Sequence, residues 1–325
     1  MSKIVLSGIQ PTGKLHLGNY LGAIKQWLFL QEKYTCYFFI ADYHSLTETF
    51  NPQEKRKQII ELTADLIALG INPKKSILFL QSMISPHTEL CWIFNCLTPI
   101  SYLFRMTQFK DKSQRQKKNI NMGLFDYPVL QAADILIYKP NFVPVGKDQL
   151  QHLELTRKIA RRFNKRFGKT FPEPKPLLTP SSKIMSLLEP SKKMSKSLPS
   201  NHNLFLTDPP PLIKKKIRQA VTGTGQEKEI PLGIKNLFLL LEEFAKKEEI
   251  NFFKREQERR TIKYQKMKEV IAQRVIEFLN PFQTKRNEIL KEEKKIEKIL
   301  KEGEKKALKR AKKTLEEVKR KIGII

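Results

Sequence analysis

The stretch Lys3-Ile-Val-Leu-Ser-Gly-Ile-Gln-Pro-Thr-Gly-Lys-Leu-His-Leu-Gly-Asn-Tyr-Leu-Gly22 decides the fold. Lys3 to Leu6 is apolar and reads as a strand, Gly8 to Gly13 as a Gly/Pro-rich turn, and the residues from about Leu17 to Tyr34 as a helix. A strand that turns straight into a helix is the building unit of a parallel α/β sheet. Gly18 falls where the helix begins. With no Cβ there, a nucleotide phosphate can approach the backbone, and N–H groups left over at a helix start can receive it. His16 and Asn19 add donors for phosphoryl oxygens that gain charge during a reaction.

Working outward, the alternation continues. Cys36 to Ala41 and Ser76 to Leu80 read as further strands. Asn51-Pro52 is a cap followed by a proline at the first helical position, and that helix stops at Gly70. A helix follows Pro86. Ala133 to Tyr138 and Phe142 to Val145 are short apolar segments, Lys147 to Phe167 is a long basic helix, and Pro172 to Pro180 reads as a stiff loop. This pattern predicts an α/β fold: a Rossmann-like doubly wound parallel sheet over 1–198, followed by an all-helical domain over 199–325. Within 199–325, loops are expected at Thr222 to Gly233 and at Asn280-Pro281. Ile289, Ile296, Leu300, Ala307, Ala311, Leu315, Val318 and Ile322 form a near-heptad apolar series. Gly303 interrupts it, so two helices are expected, free to pack back against the first domain.

The 325 residues are 40% hydrophobic, enough for a sizeable core. The net charge of +28 and pI of about 9.9 bring self-repulsion and no folding advantage. They point to a polyanionic partner, nucleic acid first and a membrane surface second, with lysine-rich usage of the host as the bland explanation. No apolar run is long enough to span a bilayer and no leader-like segment opens the chain, so a cytoplasmic protein is expected. Cys36, Cys91 and Cys96 are too few for a disulfide framework and read as buried thiols.

A second segment, Lys192-Lys-Met-Ser-Lys-Ser197, lies between the sheet pattern and the helical half. Lys193 and Lys196 straddle Ser195 in a polar loop, where lysines can accompany a departing pyrophosphate. Alone, such a loop is an ordinary basic surface; the full string downstream of the first segment is far more specific.

Together the two segments resemble the HIGH and KMSKS signatures of class I aminoacyl-tRNA synthetases. Ser7 to Gly13 with Leu17-Gly-Asn-Tyr-Leu-Gly-Ala23 is similar to the bacterial-type tryptophanyl enzymes. Arg105 to Lys112, Ala132-Ala-Asp-Ile-Leu136, Val143-Pro-Val-Gly146, Asp148-Gln149 and Ile184-Met-Ser-Leu187 follow in the same order. The resemblance implies that Gln10 and Thr12 line an ATP site, with Gly18, Asn19 and His16 against the phosphates. It places Gly146, Lys147 and Asp148 at the ribose and adenosine, and the Ile184 backbone at adenine. Lys112, Lys193 and Lys196 would stabilise the triphosphate, with Met194, Ser195 and Ser197 in the same loop. Asp134 would accept the indole N–H of L-tryptophan, and Tyr127, Gln149 and His44 would surround the amino acid.

Asp134 carries its own argument. It sits in an apolar stretch, and a buried carboxylate needs a partner. Phenylalanine has no N–H to offer, and sites built around such a donor reject the analogue by roughly 10⁴–10⁵-fold in the strongest comparable cases. An Asp that merely caps the preceding turn is the alternative. Departures from the family pattern are Leu198, where Asp is common, Gln131 for Met, and Leu6 for Phe; the last two touch the expected indole pocket.

The resemblance further implies formation of tryptophanyl-AMP, transfer to tRNA(Trp), Mg²⁺ carried with ATP and no dedicated metal site, a homodimer, and no membrane association. A tyrosine–tRNA ligase, a small-molecule nucleotidyltransferase and a non-catalytic tRNA-binding paralogue remain the rival readings.

Overall fold

The computed structural model describes residues 3–107, 109, 120–178, 184–196, 198–223 and 230–325. Lys112 and Ser197 lie outside them. The chain divides into two compact units. One comprises Met1–Thr12, Gln26–Thr179 and Glu292–Ile325, the other Gly13–Lys25 and Pro180–Lys291. These units cut across the linear boundary expected at residue 198.

The first unit holds five parallel strands: β1 (Ile4–Ile9), β2 (Thr35–Ile40), β3 (Ser76–Leu80), β4 (Phe142–Val145) and β5 (Lys175–Leu178). Their order is β3-β2-β1-β4-β5, with Ile4 beside Thr35 and Cys36 beside Ser76. The fold is the Rossmann-like α/β class. The order reverses between β1 and β4, and the crevice beyond the carboxyl ends of strands at such a point is where ligands bind in open α/β sheets. The Pro172–Pro180 segment contains β5. Pro176 is compatible with it because β5 is an edge strand.

Local signals explain the helices around this sheet. Asn51 Oδ1 accepts from Gln53 N at the head of Pro52–Leu69, and Gly70 closes that helix at φ 114°. Asn121 caps Met122–Leu136 by accepting from Leu124 N at 2.9 Å. The apolar Ala133–Leu136 run is the end of this helix and carries Asp134. The basic helix begins at Leu150, after a 3₁₀ turn over Lys147–Gln149.

Glu293–Ile322 is one unbroken helix of 30 residues, so the break expected at Gly303 does not occur. Gly303 is buried, and a Cβ there would collide with the Leu78 carbonyl of β3. The glycine is a packing residue. With Ala307 and Ala311 it forms a small-residue stripe that lets the helix lie close against the sheet. Arg310 Nε donates to Tyr138 O at 2.7 Å, and Glu317 pairs with Lys139 at 2.7 Å.

The second unit is helical beyond residue 209: Pro210–Gln219, Leu232–Phe244, Lys247–Glu258 and Tyr264–Leu290. The loop expected at Asn280-Pro281 is absent, and Pro281 lies inside the last of these helices. Proline removes one backbone hydrogen bond, but buried Leu279 and Phe282 hold that turn in place. The segment after the first turn is an α-turn at Leu17–Asn19, a π-turn at Tyr20–Ile24 and an α-segment ending at Leu30, earlier than Tyr34. Cys36 and Cys91 are buried, whereas Cys96 is exposed.

Candidate active site

In the first unit the expected residues gather at the carboxyl ends of the strands. Gln10 and Thr12 follow β1, His44 follows β2, and Gly146, Lys147, Asp148 and Gln149 follow β4. A Cβ at Gly146 would stand 2.7 Å from Asp148 Oδ1, the end of an exposed side chain that can turn away. Gln149 N closes the turn on Gly146 O at 3.0 Å, and Gln149 Nε2 donates to Asp148 at 3.2 Å.

Asp134 is fully buried and already partnered. His44 Nε2 stands 2.6 Å from Oδ2, and Gln81 Nε2 donates to both carboxylate oxygens at 2.9 Å. His87 Nδ1 lies 2.8 Å from Oδ1, at ion-pair distance without hydrogen-bond alignment. Burial pushes the carboxyl upward, but the His44 and His87 imidazoles outweigh it and hold Asp134 well below the ordinary carboxylate range. The turn-capping alternative is not what the geometry shows. Nor is Asp134 a carboxylate without partners. A carboxylate has about four acceptor sites, and these four contacts, two on each oxygen, already surround them.

Tyr127, Gln131 and Asp134 share one face of the Met122–Leu136 helix, at i, i+4 and i+7. Tyr127 is half-buried; its Oη bonds His152 Nε2 at 2.9 Å, and its ring meets His44 edge-on. Burial pushes its phenol up to about 12. Leu6 is buried in the same apolar cluster as Val129 and Ala132.

Gln81, His87, Tyr138 and His152 were missed by sequence reasoning. Gln81 had a signal, since it directly follows β3 at the carboxyl edge of the sheet. Tyr43 N donates to Gln81 Oε1 at 3.1 Å, which turns the amide nitrogen toward Asp134.

The phosphate segments lie in the second unit. Leu17 N donates to Leu204 O and Leu206 N to Leu15 O, both at 2.9 Å, so the turn is built against a strap at residues 204–206. His16 O accepts from Asn19 N and Tyr20 N. The expected supply of unpaired N–H groups is therefore reduced, because Leu17 and Asn19 have protein partners. Asn19 Oδ1 accepts from His16 N at 3.1 Å, which leaves the amide nitrogen of Asn19 as its donor for a ligand. Gly18 has a second reason to be glycine, since a Cβ would stand 2.9 Å from His16 Nδ1. His16 is buried, and its pKa is lowered to about 3, first by burial and then by Lys196 and Lys193. It is a neutral imidazole at physiological pH.

The lysine segment forms a hairpin. Met194 N donates to Ile184 O at 3.1 Å and Ser186 N to Lys192 O at 2.8 Å, so Met185 faces Lys193. Lys196 Nζ reaches Gly13 O at 3.3 Å. Leu198 N closes on Ser195 O, so the departure at Leu198 leaves a turn intact. Among the described residues, no three His, Cys, Asp or Glu side chains gather as a metal site.

A parallel sheet with ligand groups at its switch point, a glycine–histidine turn and a two-lysine hairpin define a nucleotide-binding α/β enzyme. The chain belongs to the family described as tRNA synthetases class I (W and Y), whose model matches residues 2–286. It is 45% identical over 328 residues to the tryptophan–tRNA ligase of Clostridium tetani, covering 99% of this chain and 96% of that protein. Its fold matches the crystal structure of tryptophanyl-tRNA synthetase from Mycoplasma pneumoniae with a TM-score of 0.87 at 34% identity, covering 99% and 98% of the two chains. The Campylobacter jejuni tryptophanyl-tRNA synthetase, crystallised with ADP and tryptophan, matches with a TM-score of 0.85 at 33% identity, covering 98% of this chain and 99% of that one.

Proposed function

We propose that this chain activates L-tryptophan with ATP and transfers it to the 3′ end of tRNA(Trp). The observation that carries the choice of amino acid is Asp134, a buried carboxylate held below the usual range, where an indole N–H can take the place of the unaligned His87 contact. The identity to the tryptophan–tRNA ligases supports it. In the first step the tryptophan carboxylate attacks the α-phosphate of ATP, tryptophanyl-AMP forms and pyrophosphate leaves. The substrate supplies the nucleophile, so the protein's task is positioning and charge stabilisation. Gln10, Thr12 and Gly146 to Asp148 take the nucleoside and sugar, and the Ile184 backbone takes adenine. Neutral His16, Asn19 and the Gly18 backbone take phosphate oxygens. Lys193 and Lys196 neutralise charge on the departing pyrophosphate, with Lys112 assigned the same task by the resemblance. Tyr127, His44, Gln131, Gln149 and Leu6 enclose the amino acid. Mg²⁺ comes with the triphosphate as part of the substrate. In the second step a terminal ribose hydroxyl of the tRNA attacks the adenylate carbonyl and AMP leaves.

Residues 199–325 hold 32 of the 61 basic residues and are assigned the tRNA backbone contacts, in the cytoplasm. No helix among the described residues is long and apolar enough to cross a membrane. A homodimer is proposed through Trp92, Ile100 and Met122, which are 71%, 63% and 75% exposed and line one surface recess. The test is amino-acid-dependent ATP–pyrophosphate exchange with each of the twenty amino acids. Tryptophan should support it at least about 10-fold better than any other. A preference for tyrosine, or no exchange at all, refutes the assignment.

A further inference from the structure

Asn236 is the one amide in the apolar run Leu232-Gly-Ile-Lys-Asn-Leu-Phe-Leu-Leu-Leu241. It is 3% exposed. Its Oδ1 accepts from Met185 N at 2.8 Å, and its Nδ2 donates to Met185 O at 3.0 Å. The register of the lysine hairpin explains why Met185 needs such a partner. The cross-hairpin bonds flank the Met185–Lys193 pair, running from Met194 N to Ile184 O and from Ser186 N to Lys192 O. In that antiparallel arrangement the N–H and C=O of Met185 point away from the Lys193 arm. Asn236 takes both, making the two bonds that a neighbouring strand would make. One turn earlier on the same helix, a Cβ at Gly233 would collide with the Val221 carbonyl, and Val221 N donates to Leu187 O at 2.9 Å. Gly233 and Asn236 thus bring one helix face tightly against the Ile184–Leu187 arm.

We propose that Asn236 is the positioning residue of the lysine hairpin, fixing the Ile184–Ser186 arm and, through the cross-hairpin bonds, the placement of Lys193 and Met194. Asn236 touches no substrate; it acts through Met185. The inference rests on the reading that Lys193 and Lys196 handle the triphosphate. If it holds, damage at Asn236 is felt on the ATP side of the reaction and not on the amino-acid side.

The test is ATP–pyrophosphate exchange with full-length N236L and N236D. N236L removes both bonds. N236D keeps an acceptor for Met185 N but sets a carboxylate oxygen against Met185 O, so it decides the matter if N236L fails to fold. Losing two bonds to buried backbone groups should lower kcat/KM for ATP by about 10- to 100-fold. KM for tryptophan should stay within about twofold. In a K193A background, N236D should cost less than about twofold more, because groups acting in one unit are not additive. Parallel losses toward both substrates, or additive losses in the K193A background, overturn the proposal. If K193A itself leaves exchange intact, the reading of the hairpin falls and the proposal falls with it. A crippled K193A with additive N236D removes the proposal alone.

Discussion

Gly303 of the terminal helix lies against the backbone carbonyl of Leu78 in β3, with no room for a side chain between them. On an exposed helix, Gly→Ala stabilises by about 1 kcal/mol. Here the sign reverses, because an added methyl must push helix and strand apart, and overpacking costs about 1–3 kcal/mol. Gly303→Ala should therefore lower the thermal unfolding midpoint. An unchanged or raised midpoint would show that the helix can move outward without loss.

His16 is expected to stay neutral through the physiological range. Its folded-state pKa of about 3 lies below the ordinary 6.5, so the unfolded chain binds that proton more readily. The stability linked to this group is fully present above pH 6.5 and is lost as pH falls toward 3. The His16 ring proton shift, assigned by comparison with His16→Asn, should be flat from pH 5 to 8. A titration centred near 6.5 would place the ring in water.

Lys216 and Asp208 form a buried ion pair at 2.6 Å, with Asp208 Oδ2 also accepting from Phe205 N at 3.0 Å. Removing one partner of a buried pair costs about 3–5 kcal/mol, because the other charge is left alone. Lys216→Met should show this loss in urea unfolding. Adding Asp208→Asn removes the stranded charge and keeps an acceptor for Phe205, so the double variant should recover more than half of it. No recovery would mean that the loss comes from packing of the lysine stem.

Much of the fold was legible because local chemistry declared it. The Asn51 cap, the Gly70 stop and the alternation of strands and helices up to Gln149 depend on neighbours in sequence. The errors came where tertiary packing decided. Gly303 reads as a helix breaker until β3 is seen beneath it, and Pro281 reads as a loop until Leu279 and Phe282 are seen to be buried. At the site, the resemblance pointed to Asp134, and the strings around Gly18 and Lys196 pointed to His16 and a polar lysine loop. The shell around Asp134 was less legible, since His87 comes from a distant segment with no spacing signal and Gln81 is marked only by its place directly after β3. Finding that shell also lowers the expected selectivity. With three partners already in place, phenylalanine does not leave Asp134 unpaired, and the missing indole bond alone accounts for about 10- to 100-fold.

The central claim is that Asp134 reads the indole N–H, and the most direct test compares tryptophan with β-(3-benzothienyl)alanine, in which sulfur replaces that N–H. The measurement is the ratio of their kcat/KM values in ATP–pyrophosphate exchange, for the wild type and for Asp134→Asn. A hydrogen bond to a charged acceptor predicts a ratio of about 10–100 for the wild type. In the variant, the ratio should fall toward about 1. The same ratio in both proteins would contradict the account, and so would a wild-type enzyme that uses the two amino acids equally well.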